Sequence, residues 1–369
     1  MSSDLLVTLE YQKPKLFLRI ILWILGVLFL SFIALFVYLN ILSNRFIKTF
    51  TQAAGVDKEE FLTTSTNFLN QLQQNYEQVQ DLPQKYNFLI LGTDKLSGRE
   101  GNPELTDTIL LVQLDFQNGQ IKTLSLPRDL YHEDYQTRIN ALYFYGQEKY
   151  PEEPDKFPRE VLEQMTGLKI DQSLVLSIED LGELIDLVDG IEIDVPVAFS
   201  DPSFPVPGVD VSQVSDPKIL YKEISFAAGQ QEMDAQKALE YVRSRYSEGD
   251  EGTDEARAMR QQLVLEALFK KILSLRSPEK LGQLYRFYLD RFAKYLSLEE
   301  INPLASSYLA YLEKNSTGAL NFKKHQLSIY PADQEGVIYN PPLWQTKQQW
   351  LYKIKDQDKF YENIQAIFN

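Results

Sequence analysis

The stretch Tyr-Asn-Phe-Leu-Ile-Leu-Gly-Thr-Asp at residues 86–94 decides the expected fold. Its centre, residues 88–92, carries no polar side chain, as expected for a strand that is covered on both faces. Two further strand-like runs, 106–116 and 120–126, flank Asn118-Gly119, the dipeptide most typical of a tight β-hairpin turn. The sequence therefore predicts a hairpin next to a buried strand.

The following segments continue an α/β pattern. Runs that alternate and are rich in β-branched residues predict strands, and the Pro-, Asp- and Ser-rich region 200–218 predicts a loop. Ser277 and Ser297 each precede a helical pattern as cap residues. The predicted strands are 172–179, 191–199 and 326–330, and the predicted helices include 179–188, 233–246 and 254–275.

Composition excludes several classes of protein. The 369 residues carry a net charge of −15, which argues against a nucleic-acid surface, because phosphate backbones attract basic patches. The absence of cysteine excludes disulfides, thiol nucleophiles and cysteine metal sites. The two histidines, His132 and His325, stand in no recognisable catalytic motif, and no phosphate-binding loop of the Walker type is present.

An uncharged apolar segment at residues 20–39 predicts a membrane anchor. At about 1.5 Å per residue, about twenty helical residues just span a hydrocarbon core of about 30 Å. The run lacks the small-residue cleavage pattern of a secretory signal peptide. We therefore expect a short N-terminus at 1–19 and a transmembrane signal anchor at 20–42. Basic residues flank both ends, so charge gives only a slight preference for a cytoplasmic N-terminus.

Residues 43–85 are expected to form a juxtamembrane helix or linker. Within it, residues 57–80 are polar and rich in Gln, with an apolar stripe at helical spacing. Asp81-Leu82-Pro83 ends it, because proline disfavours helix in the preceding residue. A spacer that holds the domain away from the bilayer is the simplest interpretation.

Arginines concentrate near the start of the helix predicted at 254–275. Arg257, Arg260 and Gln261 are spaced at i, i+3 and i+4, so they are expected on one face. Arginines in a first turn oppose the helix dipole, unless an anion binds there. Asp254 is a plausible N-cap of the same helix. A solvated polar face is an equally good explanation of this helix taken alone.

Further arginines and acids lie at the ends of other elements. Arg243 and Arg245 point to one side if the chain there is extended, and Asp94 directly follows a buried strand, where α/β proteins bind ligands. Asp107 opens the next strand, and Arg128 precedes Asp129. Each alone fits a turn residue or a surface salt bridge. Together, guanidinium groups suit phosphate oxygens and carboxylates suit Mg²⁺, which indicates a diphosphate site.

The ordered set of motifs resembles the LytR-CpsA-Psr family of membrane-anchored cell-wall glycopolymer ligases. The resemblance covers about residues 86–275. The matching motifs are Leu-Gly-Thr-Asp (91–94), Thr-Asp-Thr (106–108), Ser-Leu-Pro-Arg-Asp (125–129), Arg-Ile-Asn-Ala (138–141), Leu-Val-Asp-Gly-Ile-Glu-Ile-Asp-Val (187–195), Ala-Leu-Glu-Tyr-Val-Arg-Ser-Arg (238–245) and Asp254…Arg257…Arg260-Gln-Gln.

The pattern of elements and this resemblance imply an α/β fold: a three-layer αβα sandwich with a central mixed sheet, preceded by one N-terminal transmembrane helix. The catalytic core is expected at 86–275, with 276–369 completing or extending it. The resemblance further implies a phosphotransferase that acts on the outer face of the cell membrane. It would move a glycopolymer from a polyprenyl diphosphate to peptidoglycan, with Mg²⁺ as cofactor and no nucleic-acid partner.

The resemblance also assigns roles to residues. The diphosphate is expected at Arg128, Arg243, Arg245, Arg257 and Gln261. Asp94 and Asp107 are expected to hold Mg²⁺, and one of them to act as base. Further candidates are Arg99, Asp129, Asp254 and Arg260. Leu105 stands where family members commonly have an arginine, which Arg99 would replace from the loop, and the lipid slot is expected within 160–275.

Two other functions are compatible with the same residues. A lipid-diphosphate hydrolase would use water as the acceptor, and a regulatory protein would bind polyprenyl lipids without turnover. The full set of arginines and acids is more than lipid sequestration requires, which favours the transferase.

Overall fold

The computed structural model describes residues 6–7, 44–94, 104–206, 209, 216–315 and 320–369. The strands are β1 (Leu6–Val7), β2 (Lys85–Thr93), β3 (Thr106–Asp115), β4 (Gln120–Ser125), β5 (Tyr131–His132), β6 (Thr137–Arg138), β7 (Gln172–Ser177), β8 (Ile191–Val195), β9 (Phe199–Pro205), β10 (Tyr221–Phe226), β11 (Gly229–Met233), β12 (Asn321–Leu327), β13 (Ile329–Pro331), β14 (Ile338–Asn340) and β15 (Lys353–Ile354). The helices are α1 (Asn44–Ala54), α2 (Lys58–Glu77), α3 (Leu142–Lys149), α4 (Lys156–Thr166), α5 (Ile178–Leu187), α6 (Pro217–Leu220), α7 (Ala235–Arg243), α8 (Asp254–Ser274), α9 (Pro278–Arg291), α10 (Leu298–Lys314) and α11 (Gln357–Phe368).

A six-stranded sheet in the order β1-β12-β4-β3-β2-β7 forms the centre of the fold. The strand pairs β2–β3 and β3–β4 are antiparallel, whereas β2–β7 and β4–β12 are parallel. The sheet is therefore mixed, as predicted. The predicted hairpin is β3–β4, and Gly119 in its turn has a φ of 60°, a left-handed conformation that glycine adopts without strain.

Helices cover both faces of this sheet. Phe88 and Ile90 of β2 point into the core formed with α1, α2, α5 and α7–α10. Leu89 and Leu91 point to the opposite face and into the core formed with α3, α4 and α11. The apolar run at the centre of β2 is thus explained, because successive side chains of a strand alternate between two buried faces.

The described part of the segment expected as a spacer, residues 44–85, instead packs against the domain. Phe61, Phe68 and Leu72 of α2 are buried, and Asp57 caps this helix. The ring centroids of Phe50 in α1 and Phe61 lie 4.9 Å apart, and that of Tyr285 in α9 lies 5.7 Å from Phe50. The apolar stripe therefore serves the core, since aromatic burial stabilises a contact that a stalk would not make.

The expected anchor at 20–42 lies outside the described residues. Of the helices in the part of the chain that the structure describes, none combines the length and the apolar character needed to cross a bilayer. Of the expected cytoplasmic stretch 1–19, only Leu6 and Val7 are described, and they pair with Leu327 and Gln326 at the edge of the sheet.

Three details of the sequence interpretation were wrong. The region 200–218 is not all loop, because β9 extends to Pro205, pairs with β10 and buries Phe204. The N-cap of α8 is Thr253, whose Oγ1 accepts a hydrogen bond from the Ala256 amide at 3.1 Å. Asp254 is therefore the first helical residue instead of the cap. The C-terminal strand begins earlier than expected, at Asn321, and joins the central sheet beside β4.

Candidate functional site

A cavity of about 400 Å³ opens where β2 and β7 end and β3 begins. Because β2 and β3 are antiparallel, Gly92 lies opposite Thr108, and the two acids beyond that pair come to the same end of the sheet. Asp94 and Asp107 both line the cavity. The sheet topology thus brings to one cavity two carboxylates that are not adjacent in the sequence.

Helix α7 ends at the first of the two arginines that were predicted for the site. Arg243 is the last helical residue, and Ser244 has extended dihedral angles (φ −56°, ψ 133°). Arg243 and Arg245 consequently both line the cavity. Nε of Arg243 donates a hydrogen bond to Oδ2 of Asp94 at 3.1 Å. The ion pair indicates that these two predicted site residues belong to one site.

A buried acid outside the cavity lining fixes this turn of the chain. Asp201 of β9 is fully buried, and its Oδ2 accepts hydrogen bonds from Ser244 Oγ at 2.8 Å, the Arg245 amide at 3.0 Å and the Tyr246 amide at 3.1 Å. A carboxylate that accepts two amides and a hydroxyl holds the backbone firmly. Sequence reasoning missed Asp201, because the region 200–218 was predicted to be loop.

Arg257 of α8 lies at the base of the cavity with only 5% of its surface exposed. Its Nη2 is 3.0 Å from Oδ1 of Asp254. Burial, together with the nearby charge of Arg128, lowers the pKa of Arg257 to about 10. Its buried Nε finds no hydrogen-bond acceptor among the described residues. Since an unpaired buried donor is costly, this atom indicates a place for an anionic ligand.

Gln261 shares the cavity with Arg257, whereas Arg260 points away from it. Arg260 is 2% exposed and donates to the carbonyl oxygens of Tyr241 at 3.0 Å and Ser244 at 2.7 Å. Its Nη1 also pairs with Glu251 at 2.9 Å. The prediction that all three polar side chains of this helix share one face was therefore wrong for Arg260, which holds the preceding loop.

Arg128 lies in a smaller adjoining cavity of about 40 Å³, which also contacts Asp107, Arg257 and Gln261. It forms an ion pair with Asp107, and its Nε is 3.5 Å from Oδ2 of Asp129 without hydrogen-bond geometry. Burial opposes the charge of Arg128, but the nearby carboxylates outweigh burial and raise its pKa above the ordinary value. Arg128 therefore stays charged at the back of the site.

Two further candidates from the sequence, Asp129 and Arg99, do not line the main cavity as far as the structure describes them. Asp129 is buried and pairs with Nη1 of Arg138 at 2.9 Å, so it supports the loop that carries Arg128. Arg99 falls in the segment 95–103, outside the described residues.

The other half of the main cavity is apolar. These apolar side chains come from β2, β7, α5, β9, α6, β10, α7 and α8 and from residues 206 and 209, and we refer to them as the apolar slot. They are Ile90, Leu176, Ile178, Leu181, Phe204, Pro205, Val206, Val209, Leu220, Tyr221, Val242 and Leu265. The slot lies mostly within the range 160–275 expected for it, although sequence reasoning named none of its residues.

The acids of the site are possible ligands for a divalent cation. Within the described ranges, no group of three or more His, Cys, Asp or Glu residues is arranged to hold a metal. Mg²⁺, however, is commonly bound by one or two carboxylates together with substrate phosphates and water. The pair Asp94 and Asp107, which share the cavity with the arginines, fits that second arrangement.

A cavity that combines arginine side chains with an apolar lining defines an α/β protein suited to a ligand that is both anionic and apolar. A sequence model of the LytR_cpsA_psr family matches residues 46–357. The chain therefore belongs to that family, and the resemblance carried by the motifs is confirmed.

Individual relatives are distant in sequence. A protein of Enterococcus faecalis named polyisoprenyl-teichoic acid–peptidoglycan teichoic acid transferase TagU is 24% identical over 280 residues, covering 74% of this chain and 78% of that protein. The regulatory protein MsrR of Staphylococcus aureus is 28% identical over 205 residues, covering 53% of this chain and about half, 52%, of that protein. The crystal structure of Bacillus subtilis TagV matches with a TM-score of 0.50 and 20% identity, covering 77% of this chain and 97% of that chain, and it shows the shared fold.

Proposed function

We propose that this protein transfers a glycopolymer from a polyprenyl-diphosphate carrier onto peptidoglycan or a related cell-wall acceptor. The observation that carries the proposal is that one cavity is lined both by the apolar slot and by the buried guanidinium of Arg257, whose Nε has no hydrogen-bond partner among the described residues. A lipid diphosphate satisfies both halves, because its chain removes apolar surface from water and its oxygens accept hydrogen bonds from the arginines. The name of the Enterococcus faecalis relative, a teichoic acid transferase, supports the same class of reaction.

In this proposal the polar side chains clamp the diphosphate. Arg243, Arg245, Arg257 and Gln261 contact it from the main cavity, and Arg128 from the adjoining one. Negative charge builds up on the departing phosphate as the bond breaks, and fixed guanidinium groups in a site shielded from water stabilise that charge. The two ion pairs with Asp94 and Asp107 hold the arginines in position until the ligand arrives.

The chemical step is a displacement at the phosphorus that carries the glycopolymer. An acceptor hydroxyl oxygen forms a new bond to that phosphorus while the bond to the bridging oxygen breaks. The lipid leaves as its monophosphate, and the glycopolymer phosphate becomes an ester of the acceptor. Asp94 or Asp107 accepts the proton of the attacking hydroxyl. Mg²⁺, held by the same two carboxylates, would neutralise charge on the diphosphate.

The reaction requires both the lipid carrier and the cell wall, so the proposal includes a membrane location. The apolar segment 20–42 is suited to anchor the chain once, with the catalytic domain outside the cytoplasm. The slot would then lie close to the membrane surface from which the chain of the lipid carrier enters it.

A transfer assay tests the function. The full chain is incubated with Mg²⁺, a lipid-linked donor labelled in its glycan, and isolated cell-wall glycan strands. Label that becomes attached to the strands supports the transferase, whereas label released into solution without attachment supports the hydrolase.

A regulatory function is the second candidate, because the Staphylococcus aureus relative is named a regulatory protein. Tight binding of the lipid donor with neither transfer nor release in the presence of Mg²⁺ would support it and contradict the transferase.

A further inference from the structure

An open groove with an aromatic lining lies beside the candidate site, on the C-terminal strands. It measures about 520 Å³, and we refer to it as the aromatic groove. Its lining includes Glu255, Tyr330, Asn340, Pro342, Trp350 and Tyr352. None of these residues has a role in the binding of the lipid diphosphate described above.

The aromatic groove is connected to the candidate site through shared residues. The main cavity shares Asp107, Arg257 and Gln261 with the small cavity around Arg128. The small cavity in turn shares Glu255 and Tyr352 with the aromatic groove. The order from one end to the other is therefore apolar slot, arginine cluster, small cavity and aromatic groove.

Backbone hydrogen bonds fix the aromatic groove to the segment that carries Arg128. The Tyr131 amide donates to the Tyr352 carbonyl at 2.8 Å, and the Tyr352 amide donates to the Asp129 carbonyl at 2.9 Å. The side chain of Asn340 donates to the Leu351 carbonyl at 2.8 Å. The groove and the phosphate-binding arginine therefore keep a constant distance, as a substrate subsite requires.

Two tryptophans of this C-terminal segment stand out because they are exposed, and Trp350 is the one that lines the groove. Trp344 is 74% exposed and Trp350 is 52% exposed, although tryptophan normally contributes much of its surface to a core. Nε1 of Trp350 donates to the hydroxyl of Tyr352 at 3.4 Å, with the rings at 77° to each other. The edge of Trp350 is thus held, and part of its ring is left open to solvent.

The turn between these tryptophans is strained. Lys347 and Gln348 have φ values of 53° and 66°, in the left-handed region that non-glycine residues seldom adopt. The amide of Gln348 bonds to the Leu343 carbonyl at 2.9 Å, and Thr346 Oγ1 bonds to the Gln349 carbonyl at 2.6 Å. Such strain persists where the surroundings determine the conformation, and it is concentrated at functional sites.

We propose that the aromatic groove binds the acceptor glycan. The C–H faces of pyranose rings carry partial positive charge and stack on the electron-rich faces of aromatic rings. Side chains such as Glu255 and Asn340 are suited to hydrogen-bond the hydroxyl and amide groups at the rim. A stretched, uncharged or weakly charged sugar chain fits an open groove of this kind better than a compact ligand does.

The position of the groove favours the acceptor over the donor glycan. In an in-line displacement, the attacking oxygen approaches from the side opposite to the leaving group. The leaving lipid phosphate is attached to the chain in the apolar slot, and the aromatic groove lies beyond the arginine cluster from that slot. A glycan in the groove would therefore present its hydroxyl from the attacking side. This assignment rests on the proposed function.

The test measures glycan binding and acceptor kinetics separately. The full chain in detergent micelles is titrated with a β-1,4-linked N-acetylglucosamine hexasaccharide by calorimetry. We expect Trp350→Ala to weaken binding about tenfold or more, as for the loss of a central aromatic contact, and Trp350→Phe to restore most of it. Tyr361→Ala on α11, an aromatic residue of similar exposure at 45%, serves as the matched control and should bind as the wild type does.

The kinetic arm distinguishes the acceptor from the donor. Trp350→Ala should raise the KM for cell-wall glycan strands about tenfold while the KM for the lipid-linked donor stays unchanged. A change confined to the donor KM would overturn the acceptor assignment. If Trp350→Ala bound the hexasaccharide normally and had a normal acceptor KM, the assignment of the aromatic groove as a glycan site would be wrong. The proposed function would still stand. Conversely, Trp350-dependent hexasaccharide binding by a chain that transfers nothing would overturn the proposed function and leave the groove a glycan site.

Discussion

Arg243 and Asp94 are 149 residues apart in the sequence, yet Nε of Arg243 lies 3.1 Å from Oδ2 of Asp94 at the cavity. Both side chains are about one-fifth exposed, at 18% and 20%. Arg128 and Asp107 form a second such pair close by. Without a ligand, the positive charges of the site are therefore partly balanced by its own carboxylates.

Replacement of Arg243 tests the phosphate clamp. Arg243→Ala should lower kcat/KM for transfer from the lipid-linked donor about 10²–10³-fold, as the loss of one fixed group that stabilises developing charge does in other enzymes. The thermal unfolding midpoint should change little, because the side chain is partly exposed. Arg286→Ala, which removes an exposed arginine that pairs with Asp290 and lines neither cavity of the site, is the matched control. Wild-type kinetics in Arg243→Ala would exclude the clamp.

Asp107 tests the expected Mg²⁺ ligation. Asp107→Asn should lower the rate of transfer and raise the Mg²⁺ concentration needed for half-maximal activity, because the amide is neutral and a weaker ligand for a hard cation. Since Mg²⁺ and Arg128 would compete for the same carboxylate, metal binding should also free Arg128 for the diphosphate. The measurement is a Mg²⁺ titration of the transfer rate. An unchanged half-saturation concentration in the variant would remove Asp107 from the metal site.

Arg257 and Arg260 offer a paired test of function against stability. Burial and the charge of Arg128 lower the pKa of Arg257 to about 10, so its charge is unfavourable in the unliganded protein. Arg257→Met should therefore raise the free energy of unfolding by about 1 kcal/mol, as relief of a strained functional site often does. The same variant should lose the stabilisation that inorganic diphosphate gives to the wild type.

Arg260→Met should have the opposite effect on stability. The change leaves the Tyr241 and Ser244 carbonyl oxygens and Glu251 without their donor, which should lower the free energy of unfolding by about 3 kcal/mol. Urea denaturation with and without diphosphate measures both variants. Equal destabilisation by the two substitutions would show that Arg257 is structural as well.

His325 on β12 predicts a pH dependence of stability. Burial and the charges of Lys122 and Lys323 lower its pKa from about 6.5 to about 4. The unfolded chain therefore binds a proton before the folded chain does, so stability is full above pH 6.5 and falls as the pH drops from 6.5 towards 4. Because the side chain is partly exposed, we expect a contribution of about 1–2 kcal/mol.

The check is urea denaturation between pH 7 and pH 5, above the range in which most carboxylates titrate. In His325→Gln, most of the decrease in the free energy of unfolding between pH 7 and pH 5 should disappear. His132→Gln should remove less, because Asp134 and Glu133 face that imidazole and oppose the effect of burial on its pKa. If the free energy of unfolding of His325→Gln depended on pH as that of the wild type does, His325 would not be the cause of the pH dependence.

The sequence predicts the local features of this fold well. The apolar run of β2, the turn at Gly119 and the cap at Ser297 are each encoded within a few residues, and the structure contains all three. The family is also readable, because its motifs keep their order along the chain. Thr253 as the cap of α8 is a one-residue exception, since Thr253 and Asp254 are both good cap residues.

Features made by distant contacts were beyond sequence reasoning. The apolar slot is formed by strands and helices from residue 90 to residue 265, so no single segment predicts it. Arg257 and Arg260 are three residues apart and therefore differ by about 60° around the helix. That angle is enough to send one side chain to the cavity and the other to the Tyr241 and Ser244 carbonyls.

The buried carboxylate of Asp201 ties two functions to a single strand. β9 holds the Ser244–Tyr246 turn through Asp201 and supplies Phe204 to the apolar slot three residues later. One strand, β9, therefore positions both part of the apolar slot and the turn that carries Arg245. A mutational scan scored on activity alone would rank Asp201 with the arginines, although it lies outside the cavity lining. A structure of an Asp201 variant that shows Arg245 displaced would distinguish this indirect, positioning role of Asp201 from direct contact with the ligand.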